Sequence, residues 1–243
     1  VNEELTAAVI AIEVESGSRY RFGALSFTEG ILDDDILRSY RTFEAGDNYD
    51  ADAIAELHEK LRGSGFFASV TIRAEPVDGS LEVPVVVALQ PAKRHQFAAG
   101  LGLSTDTGPR GRLGYANRRL NPAGHRVEGE LSASTVDTEL TGTYRWPFVG
   151  ERLSWFEAYT GYQRRRTDTS ESDKTTLGFR WIRNRTDRWL ETPYIDLTYE
   201  DFVIADERDT STLLMPGITW EATEGRALRR IDSGWKASID VRA

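Results

Sequence analysis

The chain has 243 residues, no cysteine, three histidines and a formal net charge of −9. Without cysteine there is no disulfide, thiolate metal site or cysteine nucleophile, and an acidic balance argues against a general nucleic-acid binder, which presents a basic face. No run approaches the ~18 apolar residues of a spanning helix, but a membrane barrel hides its apolar residues in short alternations and is not excluded.

The first residue is Val1 and there is one Met in all, which reads as a piece of a longer chain, so a missing signal peptide is uninformative. Ala7–Glu15 is apolar enough for a strand, and a second strand, "RYRFGALSF", follows after a short polar joint. "ILDDDILRSY" predicts a short helix with Asp33 as N-cap and Asp34 and Asp35 in the first turn, where carboxylates suit the helix dipole. "NYDADAIAELHEKLRGSG" predicts a stronger one. Asp50 caps it, Tyr49 and Ile54 form a hydrophobic staple, and Ile54, Leu57 and Leu61 make its apolar stripe. Gly63 or Gly65 stops it. "FFASVTIRAEPVDGSLEVPVVVALQP" reads as two strands around the Asp78-Gly79 turn, with Pro84 at a position that makes no ladder hydrogen bond. The order strand, helix, helix, strand, strand predicts a small α+β layer over residues 19–92. The abrupt passage from an apolar strand into the next unit occurs twice, so residues 1–18 are expected to be the last strand of a preceding repeat.

From residue 93 onward no helical period survives. Phe97, Ala99, Leu101 and Leu103 alternate with Ala98, Gly100, Gly102 and Ser104. Val127, Gly129, Leu131 and Ala133 alternate with Glu128, Glu130, Ser132 and Ser134. The same period of two recurs in "LSWFEAYTGYQR", "TTLGFRWI", "PYIDLTYED" and "WKASIDV", giving about nine strands over residues 93–243. One face is apolar throughout and ends in Tyr144, Trp146, Tyr162, Trp181 and Trp220, as an interfacial girdle does. Expected strand lengths of ~9–11 residues match a tilted transmembrane strand. The pattern favours an antiparallel transmembrane β-barrel; a soluble sandwich or propeller shares the period and stays open.

Two stretches carry a family resemblance. "GFFASV" at Gly65–Val70 lies within the strand–helix–helix–strand–strand unit, which resembles a POTRA domain. The segment "AGLGLSTDTGPRGRLGYANRRLNPAGHRVEGELSAS" then resembles the first barrel strands of TamA-like members of the BamA/TamA outer-membrane insertase superfamily. Its turn Ser104–Arg110 and its N-x-x-G-H-R run at Asn121–Arg126 are the most specific pieces. The resemblance implies a fold class of α+β POTRA domain (β-α-α-β-β) followed by about the first half of a barrel of the bacterial surface antigen kind. It implies a bacterial outer-membrane location with the POTRA unit in the periplasm. "LNPAGHR", "PFVGER", "IRNRTDRW" and "TEGRALRR" then become periplasmic turns, and "STDTGPR", "STVDTE", "RRTDTSESD" and "VIADERDT" external loops. It implies a factor that inserts or exports β-barrel and autotransporter proteins through a lateral seam at the first barrel strand. Its partners are unfolded outer-membrane clients, the bilayer and a TamB-like periplasmic protein met through the POTRA repeats. A two-partner secretion pore or another POTRA-linked barrel is the alternative.

No catalytic constellation is visible, and no enzyme activity, cofactor or nucleic-acid partner is expected. His58, His95 and His125 do not fall at metal-ligand spacing, and "GLGLSTDTG" precedes no helix that would make it a phosphate loop. Arg164, Arg165 and Arg166 are candidates to meet lipopolysaccharide phosphates, with a solvated strand end as the plainer reading. Lumenal charges such as Arg145, Glu157 and Arg180 are expected to pair across the barrel. The strongest functional candidate is the seam strand Phe97, Ala98, Ala99, Gly100, Leu101, Gly102, Leu103 and Ser104. Its glycines weaken packing, and an exposed edge templates another strand; relief of crowding in the lumen explains the same glycines.

Overall fold

The computed structural model describes residues 18–28, 30–105, 107–150, 152–186, 188–204, 207–224 and 234–243. The upstream strand expected at Ala7–Glu15, and most of the turn "TEGRALRR", lie outside them.

The first unit runs β1 (Arg21–Thr28), α1 (Asp34–Ser39), α2 (Ala51–Gly63), β2 (Phe67–Ala74) and β3 (Glu82–Pro91). β3 is central, parallel to β1 and antiparallel to β2. Asp33 stands at the N-cap of α1 without a side-chain cap bond, while Asp50 accepts from the Asp52 amide at 2.9 Å and caps α2. Leu57 and Leu61 have no solvent exposure, and Tyr49 and Ile54 pack on the same core. The chain leaves α2 through Ser64 and Gly65, whose φ of 75° is a left-handed conformation that glycine tolerates. Pro84 lies in the central strand, where it cannot donate to a ladder. The register accommodates it: pairing steps from Phe22↔Val83 to Leu25↔Val85, so β1 bulges past the proline.

The second unit is a nine-stranded antiparallel sheet in which each strand pairs with its neighbour in sequence. The strands are β4 (His95–Ser104), β5 (Gly108–Asn117), β6 (Arg126–Ser134), β7 (Asp137–Val149), β8 (Leu153–Arg166), β9 (Ser170–Asn184), β10 (Trp189–Ile204), β11 (Glu207–Glu224) and β12 (Trp235–Arg242). Register aligns the expected apolar faces row by row. One row runs Leu177, Leu197, Leu214, each more than 40 % exposed, and another Trp146, Phe156, Trp181, with ring centroids 5.7 and 5.5 Å apart. β7 to β11 are longer than expected, 13 to 18 residues. Their far ends carry Arg164, Arg166, Asp173, Asp201 and Arg208 on the apolar side, so these hairpins extend beyond the apolar belt.

The opposite face is polar and tightly bonded. Glu157, 4 % exposed, accepts from Arg145 Nε at 2.8 Å and faces Arg180 Nε at 3.4 Å. These charges pair between adjacent strands, which corrects the expectation that they reach across a barrel, because each partner already sits opposite in the register. A second device occurs twice. Tyr159, Gly178 and Asp196 form one row over three strands; the Tyr159 ring lies across the glycine and its hydroxyl donates to Asp196. Tyr194 lies across Gly217 in the same way and donates to Asp240 at 3.0 Å. A Cβ at either glycine would overlap the tyrosine ring.

Gly178→Val is therefore expected to expel Tyr159 from its slot and destabilise the sheet by about 1–3 kcal/mol. Tyr159→Phe keeps the ring and loses only the hydroxyl, and should cost less. Urea titration of both variants, with folded protein read by electrophoretic mobility without boiling, checks the order.

Candidate functional site

β4 ends the sheet. It pairs with β5 over all ten residues, from His95↔Asn117 to Ser104↔Gly108, and no strand among the described residues runs along its other edge. Phe97, Leu101 and Leu103 are 77, 96 and 85 % exposed on the apolar side. Ala98, Gly100, Gly102 and Ser104 fall on the polar side, opposite Gly114, Arg112, Arg110 and Gly108. The two glycines differ. A Cβ at Gly102 would meet Arg110 Nε at 2.9 Å, whereas Gly100 has open space. Arg110 is exposed and its side chain could swing aside, so backbone crowding requires neither glycine.

Three residues separate β3 from β4, and the two units lock together at that end. The turn 118–125 reaches into the first unit: the Asp33 amide donates to Pro122 O at 2.9 Å, and Arg119 Nη1 donates to Ile31 O at 3.5 Å. Burial, with Arg94 beside it, lowers the Arg119 pKa from the usual guanidinium range. Gly124 has φ 73°, and a Cβ there would come within 3.2 Å of Phe66, so only glycine allows this approach. Arg126 is the centre. Its guanidinium carbon stands 3.9 Å from the Phe66 ring centroid and 4.9 Å from that of Trp155, and its Nη2 donates to Ser64 O. Tyr40 is buried beside it; burial pushes its hydroxyl up to about 12, the Arg126 charge opposing in part. Leu153 and Trp155 of β8 complete the joint by packing on the first unit's core. A cavity of about 800 Å³ opens next to it, lined by Tyr40, Arg126, Arg145, Arg152, Trp155 and Leu190 among others.

The three consecutive arginines are separated by the pleat. Arg164 forms a bidentate pair with Asp173 at 2.7 and 3.1 Å, and Arg166 faces Glu171 at 3.2 Å on the same side. Arg165 points the other way, toward Asp137 at 3.6 Å. His95 and His125 hydrogen-bond Tyr115 and Tyr144 at 3.0 and 2.5 Å. The joint was not legible as a site in the sequence. Asn121–Arg126 stood out only as a motif, and the partner Ser64 lies 62 positions away.

No family model matches the chain. Solved structures do match in fold. BamA from Haemophilus ducreyi lacking POTRA domains 1-3 aligns with a TM-score of 0.67 at 13 % identity, over 93 % of this chain and 48 % of that one. CdiB from Acinetobacter baumannii aligns at 0.54 and 14 % identity, over 92 % and 46 %. CdiB from Escherichia coli aligns at 0.56 and 11 % identity, over 86 % and 42 %. The chain spans just under half of each. Its nine-stranded sheet has the fold of part of such a barrel.

Arg126→Ala removes a desolvated cation from two rings and should lower amide protection of residues 118–125 by about 2 kcal/mol in hydrogen exchange. Arg126→Lys keeps the charge but not the planar stack, and should restore less than half. Tyr40 favours the neutral form in the fold, so its contribution is complete below its ordinary value of 10.0 and is lost as pH rises through about 12. Tyr40→Phe should abolish this part of the alkaline destabilisation, as followed by circular dichroism against pH.

Proposed function

We propose that this chain is the last POTRA unit and the first nine strands of a TamA-like outer-membrane assembly factor. The POTRA unit then lies in the periplasm, with the turns after β5, β7, β9 and β11 on its side. The alternating ends of an antiparallel sheet support this, since the joint occupies that end. The observation that carries the reading is β4: it follows the first unit after only three residues and has Gly100 in mid-strand with open space around it, a strand whose edge would be loosely held against a closing neighbour. Such an edge accepts an incoming strand by backbone hydrogen bonds. A client added there would leave into lipid, driven by burial of its own apolar face, without nucleotide or enzymatic chemistry. Unfolded outer-membrane proteins are the partners in this reading, with a TamB-like protein reached through the POTRA repeats. Arg164 and Arg166 would meet lipopolysaccharide phosphates by exchanging Asp173 and Glu171 for them.

The likeness to two CdiB structures supports a second reading, a two-partner secretion pore that threads its client through the lumen. The two separate on Gly100. Space at Gly100 is open, so Gly100→Val should fold, stiffen β4 and slow seam opening. Strand propensity spans ~1 kcal/mol, which sets the expected effect at about five-fold. In the full-length protein, client insertion into liposomes should slow by that factor while single-channel conductance stays unchanged. Unaltered insertion by a correctly folded variant would sink the seam reading.

A further inference from the structure

The apolar face has one hollow with a charged rim. It lies at the joint end, where β9 turns into β10, and measures about 320 Å³. Trp189, Trp220 and Ile239 form its apolar walls, and Arg185 and Thr186 its rim. Register explains the shape: Trp220 pairs with both Glu191 and Ile239, while the neighbouring row sets Trp189 beside Ala222 and Ala237. Trp189 therefore heads a row of small residues, and Trp220 and Ile239 flank that row on one side.

Among the described residues the rim carries more guanidinium than carboxylate. Arg183 and Arg185 share one carboxylate oxygen, Glu191 Oε2, at 3.2 and 3.0 Å. Counted over the described residues, two guanidiniums on one carboxylate give a positive excess. Glu191 is buried at 8 % exposure and Arg183 stacks 4.0 Å over Trp181, so the charge is presented by Arg185, which is 65 % exposed. Thr186 is also poised. Its Oγ1 accepts the amides of Arg188 and Trp189 at 3.3 and 3.1 Å, which leaves its own proton to donate outward. The Arg185 amide closes the turn on Trp189 O at 2.8 Å, so the rim is held in place.

We propose that this hollow seats an anionic glycerophospholipid of the periplasmic leaflet, its phosphate on Arg185 and Thr186 and its acyl chain between Trp189, Trp220 and Ile239. A cation and a hydroxyl donor at head-group level above an aromatic-walled apolar slot match the two halves of such a lipid. The inference rests on the membrane-barrel reading above. A phosphate ion alone would leave the indole walls bare, and an acyl chain alone would leave the shared carboxylate's excess charge unmet.

The test is tryptophan quenching in the full-length protein reconstituted into nanodiscs. Brominated-acyl phosphatidylglycerol or brominated-acyl phosphatidylcholine is titrated into unlabelled phosphatidylcholine. The signal used is the part lost in the double variant Trp189→Phe/Trp220→Phe. One basic side chain near a membrane surface corresponds to about five-fold in affinity for an anionic lipid, so phosphatidylglycerol should be preferred by about that factor. Arg185→Gln should erase the preference. Lys236→Gln, which removes an equal charge paired with Glu221 on the polar face, should leave it intact. Equal quenching by both lipids, or a preference that survives Arg185→Gln, overturns the lipid site and leaves the barrel standing. Absence of quenching by either lipid overturns the membrane reading and the site with it.

Discussion

A backbone amide or carbonyl taken from water must find a partner, so the ladder from β4 to β12 is the constraint on which the rest depends. Eight consecutive antiparallel pairings hold the strands in register, although β12 covers only Gly217–Glu224 of β11. They also fix which side chains share a face, because a slip of one residue would exchange the two faces. The apolar face then carries rows of leucine and aromatic rings with no protein layer over them. A bare apolar surface of this extent needs a cover, and in the function proposed above that cover is lipid.

With its apolar side given to the surroundings, the sheet has no hydrophobic core of its own. The buried apolar core of the chain belongs almost wholly to the first unit. Order within the sheet comes instead from the polar side, where charges and hydroxyls close on their neighbours across one strand or two. Glu157 between Arg145 and Arg180 is one such lock, and the tyrosines laid over Gly178 and Gly217 are another. A glycine in mid-strand is usually a weakness. Here it is the space that lets a ring span three strands and reach an aspartate.

The two units are joined by a contact of a different kind. Arg126 belongs to the sheet, yet its cation rests on Phe66 from the first unit and Trp155 from β8. Burial is tolerable because the rings and the Ser64 carbonyl replace water. The joint therefore holds the first unit close to the start of the sheet, three residues from β4.

Much of this was determined by the sequence alone. Period-two alternation assigned the faces of the strands, and Asp50, Leu57 and Leu61 located α2 and its buried stripe, because these signals depend only on near neighbours in the chain. Asp78-Gly79 likewise announced a turn, and Pro84 a position without a ladder hydrogen bond, through backbone geometry that those residues impose. The tertiary structure decided everything that needed register or distance. Only the pairing of β8, β9 and β10 puts Tyr159, Gly178 and Asp196 in one row. Only the docking of two units brings Arg126 to Phe66, and only the pairing of β8 with β9 sets Asp173 and Glu171 against Arg164 and Arg166. Those outcomes rest on contacts between residues far apart in the chain, and local pattern carries no record of which distant residue will stand opposite.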